Sequence, residues 1–382
     1  MRVRVDSLRS LCVQVFQKMG MSAEDARITA DVLVTADLRG VDSHGVARLG
    51  FYVERLRNGV MIPRPDVRTV SETGVTALVD AGGGMGPPVS YRAMQKAIHK
   101  ALDAGAGFVT VRNSNHFGIA GYYAMMALEH GCIGISMTNA FVFVVPTFGR
   151  NAMLGTNPIA VAAPAGQDRP FVLDMATSTV PFGKLEIYDR SGKALPPGWA
   201  VDEVGGPAID PVLLMENLRS QAGVGGGLLP LGGAGELLGG HKGYGLALLV
   251  DTLCGVLSGA CYADLVYPRT PDGRPLPSGI GHFFGALRVD AFRPLAEFEA
   301  AMDDLQRRLK NAPKADGQGR IYVHGEKEFE EAERRSREGI PLDPRVLAEL
   351  EEIAAESGVE FTPHEQAVAQ LVDHACFLPS AA

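Results

Sequence analysis

GFVTVRNSNHFGIAGYYAMMALEHGCIGISMT, residues 107–138, decides the fold. It opens with a short apolar and β-branched run (107–112) and turns through an Asn/Ser cluster. A helical run follows (120–130), and a second short apolar run closes it (133–138). Strand, turn, helix, strand in this compass is the unit of an α/β sheet. Outward from it, TALVD (76–80), IAVAAP (159–164) and FVLDM (171–175) read as further buried strands, with a helix over 89–104. Upstream, residues 6–38 carry helical spacing in Leu8, Leu11 and Val15, then Ala30, Leu33 and Ala36. Ser22 is the N-cap of the second helix. A third helix is expected over 43–56, ending near Asn58-Gly59. Downstream, the Gly- and Pro-rich stretch 179–238 reads as a long irregular functional loop. A buried helix over 243–258, a strand over 282–289 and a helix over 295–310 come next. From 326 the chain is charged and helical, with 343–376 expected as a helical pair. The expectation is an α/β core over 76–310, preceded by a helical segment (1–75) and followed by another (311–382) packing back on the body.

Composition removes several function classes. Lys plus Arg number 36 against 44 Asp plus Glu, a net charge of −8. Nucleic acid is therefore not an expected partner, since neutralising phosphates needs a basic surface. The five cysteines form no CxxC pair and no zinc spacing, so reduced core thiols and no metal are expected. MRVRVDSLRS lacks the apolar stretch of a signal peptide. The most apolar segment, 244–260, contains Asp251 and is short of the ~20 residues of a membrane span. A cytoplasmic protein without a membrane partner is expected. No GxGxxG opens a helix, and no GxxxxGK[ST], HExxH, GxSxG or EF-hand pattern is present. An ordinary Rossmann or P-loop enzyme has no support.

Four stretches could carry chemistry. In RGVDSHGVARLGFY (39–52), capped by Asp42 or Ser43, the spacing puts His44 in the first helical turn and Arg48 one turn on. That pairs a proton-transfer group with a guanidinium suited to a carboxylate. A helix N-terminus would also lower the histidine's pKa. A capped surface helix has the same spacing. In VRNSNHFGIAGYY (111–123), His116 follows a strand end, where α/β folds bind ligands. Asn113, Ser114 and Asn115 add hydrogen-bonding groups, although an Asn/Ser turn capping a helix reads alike. FVLDMATSTVPFGK (171–184) sets Asp174 at a strand end before Thr177, Ser178 and Thr179. This suits ribose hydroxyls or a phosphate, or simply an Asx turn. LGGHKGYGLALLV (238–250) places His241-Lys242 at a helix start, an anion site or a packing motif.

In order and spacing, RGVDSHGVARL, VRNSNHFGIAGYY, LGTNPIAVAAP, LDMATS and HKGYGLALLVDTLCGVLSGA resemble the type-2 malate/L-lactate dehydrogenase family, over roughly residues 5–345. That group includes ureidoglycolate, sulfolactate and diketogulonate oxidoreductases and cyclic imino acid reductases. The resemblance implies an α/β, non-Rossmann, mixed-sheet NAD(P)-binding fold of the sulfolactate-dehydrogenase-like type, with helical N- and C-terminal segments. It implies hydride exchange between NAD or NADP and a small 2-hydroxy acid or its 2-keto acid. The alternative is reduction of a piperideine- or pyrroline-2-carboxylate.

By the same resemblance His44, with Ser43 beside it, and His116 carry the proton, and Arg48 clamps the substrate carboxylate. Thr138 and Asn139 lie on the substrate loop. The cofactor falls on Val172, Leu173, Asp174, Met175, Ala176, Thr177 and Ser178, on His241 and Lys242, and on Gly325, Glu326 and Lys327. A homodimer sharing its active site is implied. No basic residue follows Asp174 within DMATS, which leans toward NAD. The departures are PTFGR (146–150), His324-Gly325, and the bulky run Phe141-Val142-Phe143, which favours a less polar substrate than malate.

Overall fold

In the computed structural model, which describes residues 1–220 and 225–363, the chain opens with β1 (Arg2–Val3), α1 (Val5–Lys18), α2 (Ala23–Leu38) and α3 (Leu49–Arg57). The strands β2 (Arg68–Glu72) and β3 (Thr76–Asp80) lead to α4 (Gly86–Ala104), β4 (Ala106–Ser114), α5 (Ala120–Met126) and β5 (Cys132–Thr138). Next are β6 (Val142–Val144), β7 (Leu154–Gly155), β8 (Ile159–Ala163) and β9 (Phe171–Met175). Then come α6 (Phe182–Arg190), β10 (Ala200–Val201), α7 (Pro211–Ser220), β11 (Gly227–Leu228) and α8 (Gly240–Asp251). The described chain ends with β12 (Ile280–Arg288), α9 (Leu295–Lys310), α10 (Glu326–Glu338), β13 (Ile340–Pro341) and α11 (Pro344–Ser357).

A mixed seven-stranded sheet runs β2-β3-β4-β12-β5-β8-β9. β3 and β4 are parallel and joined by α4, while the other neighbouring pairs are antiparallel. β4 and β5, consecutive in the expected α/β unit, are not neighbours, because β12 arrives from far downstream and pairs with both. Its run IGHFFGALR is apolar on both faces, as a central strand requires. One core packs α2, α4 and α5 on this sheet. A second draws Leu8, Val15, Leu33 and Leu49 together with Leu350 and Ile353, and β1 pairs with β13, so the N- and C-terminal helices share one interior. Local signals fix the ends: the Ser22 hydroxyl accepts the Asp25 N–H at 3.1 Å to start α2, and Asp343 does the same for Arg345 at the start of α11. Among the described residues no helix is long and apolar enough to cross a membrane. Cys12, Cys132 and Cys254 are buried and Cys261 half-buried, all as free thiols.

Several expectations are corrected. The stretch 179–238 is not an irregular loop: it holds α6 and α7, and β10-β11-β6-β7 form a four-stranded sheet. Leu185, Leu214, Met215 and Leu218 bury against Val144 and Leu228, and the Gly/Pro density marks the turns between these short elements. The helix expected over 243–258 gives way after Asp251 to a π-turn over Thr252–Val256. It is not buried all round, since Leu248, Leu249, Val256 and Leu257 are exposed. Of the C-terminal helical pair, α11 is present, and the second member, with His364, His374 and Cys376, lies outside the described residues.

The helix expected over 43–56 begins only at Leu49. Before it stand two 3₁₀ turns, Asp42–His44 and Val46–Arg48, separated by Gly45 in an extended conformation. No side chain caps either turn. The break has a cause: the Asp37 carboxylate, buried at the end of α2, accepts the Val46 N–H at 2.8 Å, and a Cβ on residue 45 would overlap it. Gly45→Ala should therefore cost about 1–3 kcal/mol of stability, the usual range for overpacking. It should also lower activity by displacing the His44–Arg48 segment. A thermal melt and kcat/KM check it, and an unchanged protein would contradict this role for Gly45.

Candidate active site

β4 and β5 end side by side with the start of β12 between them, and the segment after α2 closes over this edge. Strand ends of this kind are where open α/β sheets bind ligands. A cavity of about 550 Å³ opens here, lined by Ser43, His44, Arg48, His116, Thr138 and Asn139. Phe51, Phe141, Phe143, Phe182 and Tyr267 form its apolar wall. Phe141 stacks on Tyr267 with ring centroids 3.5 Å apart, and Phe143 on Phe182 at 4.6 Å.

The residues of the SHG and HFG stretches thus meet, although the local geometry differs from the expected helix face. The His44 and His116 rings stack with centroids 5.5 Å apart. Ser43 Oγ lies 2.9 Å from His44 Nδ1, and Arg48 Nε donates to the Ser43 carbonyl at 2.7 Å. That bond leaves the rest of the guanidinium to a ligand. Burial, then the neighbouring Arg48, lowers His44 from 6.5 to about 4. Burial, then His44 and Arg48, holds His116 well below 6.5. Both rings are neutral near pH 7. The depression at His44 comes from its surroundings and not from a helix N-terminus.

The tautomer of His116 follows from its partners. Gly118 N–H donates to His116 Nδ1 at 3.4 Å, and the Tyr52 hydroxyl lies 2.7 Å from the same atom. A backbone N–H can only donate, so Nδ1 is bare and the neutral ring carries its hydrogen on Nε2. Tyr52 sits inside the quoted 39–52 stretch, yet nothing in the sequence marks it as the partner of a residue 64 positions away. The hydrogen-bonding groups of Asn113, Ser114 and Asn115 are spent within the protein, as in the structural-turn reading of this stretch. Asn113 bonds Asp80, Ser114 bonds His282, and Asn115 bonds the carbonyls of Gly83 and Gly84 and the Ser278 hydroxyl. Thr138 and Asn139 line the cavity with their polar atoms spent inward: Thr138 Oγ1 donates to backbone carbonyls and Asn139 Nδ2 to Cys261 O at 2.7 Å.

The segments expected to hold a cofactor are mutually close. Gly325, at a positive φ of 94°, packs on Val172, whose N–H bonds the His324 carbonyl at 3.1 Å. Met175 ends β9, and Ala176 leads into Thr177, whose carbonyl accepts the Leu231 N–H. Gly243 in turn packs on Leu231, setting His241 and Lys242, both exposed, near that segment and outside the cavity lining. Asp174 is exposed at the strand end and accepts the Gly121 N–H at 2.8 Å, and Lys327 is exposed over the Tyr322 ring. Leu173 is half-buried. Thr177, Ser178 and Glu326 are buried with side chains committed elsewhere: the hydroxyls to backbone carbonyls, the carboxylate to Val323 N–H, Lys310 and Arg320. A carboxylate suited to a ribose diol and cations suited to a pyrophosphate, beside a roomy pocket, form a donor set that fits a dinucleotide.

A guanidinium beside two neutral imidazoles in one cavity has the chemistry to pair with a carboxylate and to exchange a proton. The family model described as malate/L-lactate dehydrogenase matches residues 3–351. A malate dehydrogenase of Pyrococcus horikoshii is 49% identical over 94% of this chain and 96% of its own. The solved sulfolactate dehydrogenase of Methanocaldococcus jannaschii superposes with a TM-score of 0.84 at 37% identity, covering 94% of this chain and 98% of its own. The Delta(1)-pyrroline-2-carboxylate/Delta(1)-piperideine-2-carboxylate reductase of Pseudomonas putida is 31% identical over 92% of this chain and 96% of its own. The chain belongs to the malate/L-lactate dehydrogenase family and is an oxidoreductase with that family's mixed-sheet fold.

Proposed function

We propose that the protein interconverts a small 2-hydroxy acid of the malate or lactate kind and its 2-keto acid. The observation that carries this is the pair of neutral imidazoles, 5.5 Å apart, beside Arg48 in one cavity. A bound nicotinamide supplies the hydride acceptor for oxidation and the hydride donor for reduction. Arg48 binds the substrate carboxylate and so orients the adjacent carbon. In oxidation His44, with Ser43 at its Nδ1, takes the hydroxyl proton, and His116 donates from Nε2–H to the same oxygen. In reduction a carboxylate seated on Arg48 offsets the lesser of the two causes that depress His44, burial being the larger, and so shifts the ring toward the protonated form that returns the proton. The aromatic wall keeps water from the reacting carbon.

In oxidation the acceptor must be unprotonated. With His44 at about 4, kcat/KM for the hydroxy acid should hold its plateau below pH 6.5 and decline only toward pH 4–5. An acid limb centred at 6.5 or above would contradict this assignment.

We read the cofactor as NAD, because exposed Asp174 suits a ribose diol; Glu328 adds negative charge beside it, and the buried Arg39 guanidinium offsets part of that charge. The exposed apolar side chains of Leu248, Leu249, Val256 and Leu257 form the face of a homodimer, which is the partner we propose. The second reading, reduction of a cyclic imino acid, draws on the aromatic wall and the 31%-identical reductase. Fluorescence titration with NADH and NADPH, followed by assays of oxaloacetate, pyruvate and piperideine-2-carboxylate side by side, separates them. Tighter NADH binding with keto-acid reduction is expected. Imine reduction alone would establish the second reading.

A further inference from the structure

Beneath the cavity, His282 is fully buried in the central strand β12, and no role in proton transfer falls to it. Its Nδ1 lies 2.8 Å from Thr138 Oγ1, at the end of β5, and its Nε2 lies 2.7 Å from Ser114 Oγ, at the end of β4. The ring also stacks on Phe117, the residue after His116, with centroids 4.7 Å apart and planes within 9°. The Thr138 hydroxyl gives its single hydrogen to backbone carbonyls, Asn139 O at 2.9 Å and Gly281 O at 3.1 Å. One imidazole thus bridges both strand ends that frame the cavity and packs under the turn that carries His116. Leucine would fill much of the same volume but leave the buried Ser114 hydroxyl without its partner and remove the ring's bond to Thr138.

We propose that His282 is a positioning residue. Its two hydrogen bonds and its stack on Phe117 set the spacing between the His116 turn and the Thr138–Asn139 segment, and so place His116 against the substrate. The inference rests on the acid–base reading of the cavity given above. A shift of about 1 Å at a reacting group costs on the order of 10²-fold in rate. A loss of that size in kcat is expected for His282→Leu, with NADH affinity retained because the cofactor segments lie elsewhere. His282→Gln, which can both donate and accept, should recover much of it.

The experiment takes full-length wild type, His282→Leu, His282→Gln and Ser114→Ala. It compares kcat, KM and NADH affinity, and the ring signals of His116 by NMR on protein labelled with ¹³C-histidine. The NMR arm needs no turnover, so it reads the placement of His116 even if the wild type proves to act on another substrate. Failure of the functional reading would instead show as an inactive wild type. Displaced His116 signals in His282→Leu that return in His282→Gln, with kcat falling and recovering in step, support the proposal. Ser114→Ala tests the Nε2 bond alone should the leucine variant not fold, and a smaller displacement of the same kind is expected. Unmoved His116 signals in the variants, or NADH affinity lost together with kcat and not restored by glutamine, would overturn it.

Discussion

His116→Ala and His44→Ala are each expected to lower kcat by about 10²- to 10⁴-fold, the usual contribution of a positioned acid or base. That corresponds to about 3–5 kcal/mol of transition-state stabilisation. NADH affinity should be retained, because the proposed cofactor contacts at Asp174, His241 and Lys242 belong to other segments. The two variants should differ in character. His44 carries the proton, so its loss should also remove the acid limb of the pH profile. His116, with Nδ1 held by Tyr52 and Gly118, donates a hydrogen bond from a fixed neutral ring. His116→Asn, which keeps a donor, should therefore retain more activity than His116→Ala, whereas His44→Asn should rescue nothing. Steady-state rates with a fluorescence titration of NADH check each arm. Wild-type turnover in both alanine variants would end the acid–base assignment.

Arg48→Ala should lower kcat/KM by about 10²- to 10³-fold, chiefly through KM, since truncating one partner of a hydrogen-bonded charge pair costs 2–5 kcal/mol. Arg48 Nε is tied to the Ser43 carbonyl, which aims the remaining donors. Lysine cannot reproduce that tie and a paired contact together, so Arg48→Lys should recover only part of the loss. Removing the cation should also raise the pKa of His44, because Arg48 is one of the two causes of its depression. The acid limb of kcat/KM should then move upward in pH. That second readout separates a carboxylate clamp from a merely structural arginine.

The strands of the α/β core were legible because each is a short apolar run bounded by turn residues, and Ser22 announced the start of α2. The order of the sheet was not, since nothing local tells β12 to enter between β4 and β5. The two small helices of 179–238, and the strands β10 and β11 that it adds to the second sheet, were hidden by Gly- and Pro-rich turns crowding short apolar runs. At the site, His44, Arg48 and His116 were legible as residue types in dense polar stretches. Their meeting was not, because it depends on Asp37 breaking the expected helix at Gly45. Tyr52 and His282 were missed for one reason: each acts through a partner far away in sequence, and nothing local marks that partner. Thr177, Ser178 and Glu326 carried the opposite lesson, as polar side chains at a ligand-type position that the fold consumes internally.

The most direct test of the central claim is deuterium transfer from C2-deuterated malate, with lactate and sulfolactate as companions, to NAD⁺ and to NADP⁺. We predict substrate-dependent formation of deuterated NADH with a primary isotope effect on kcat/KM, abolished in the protein lacking both His44 and His116. No reduction of either cofactor by any of these hydroxy acids, from protein that binds NADH, would contradict the account.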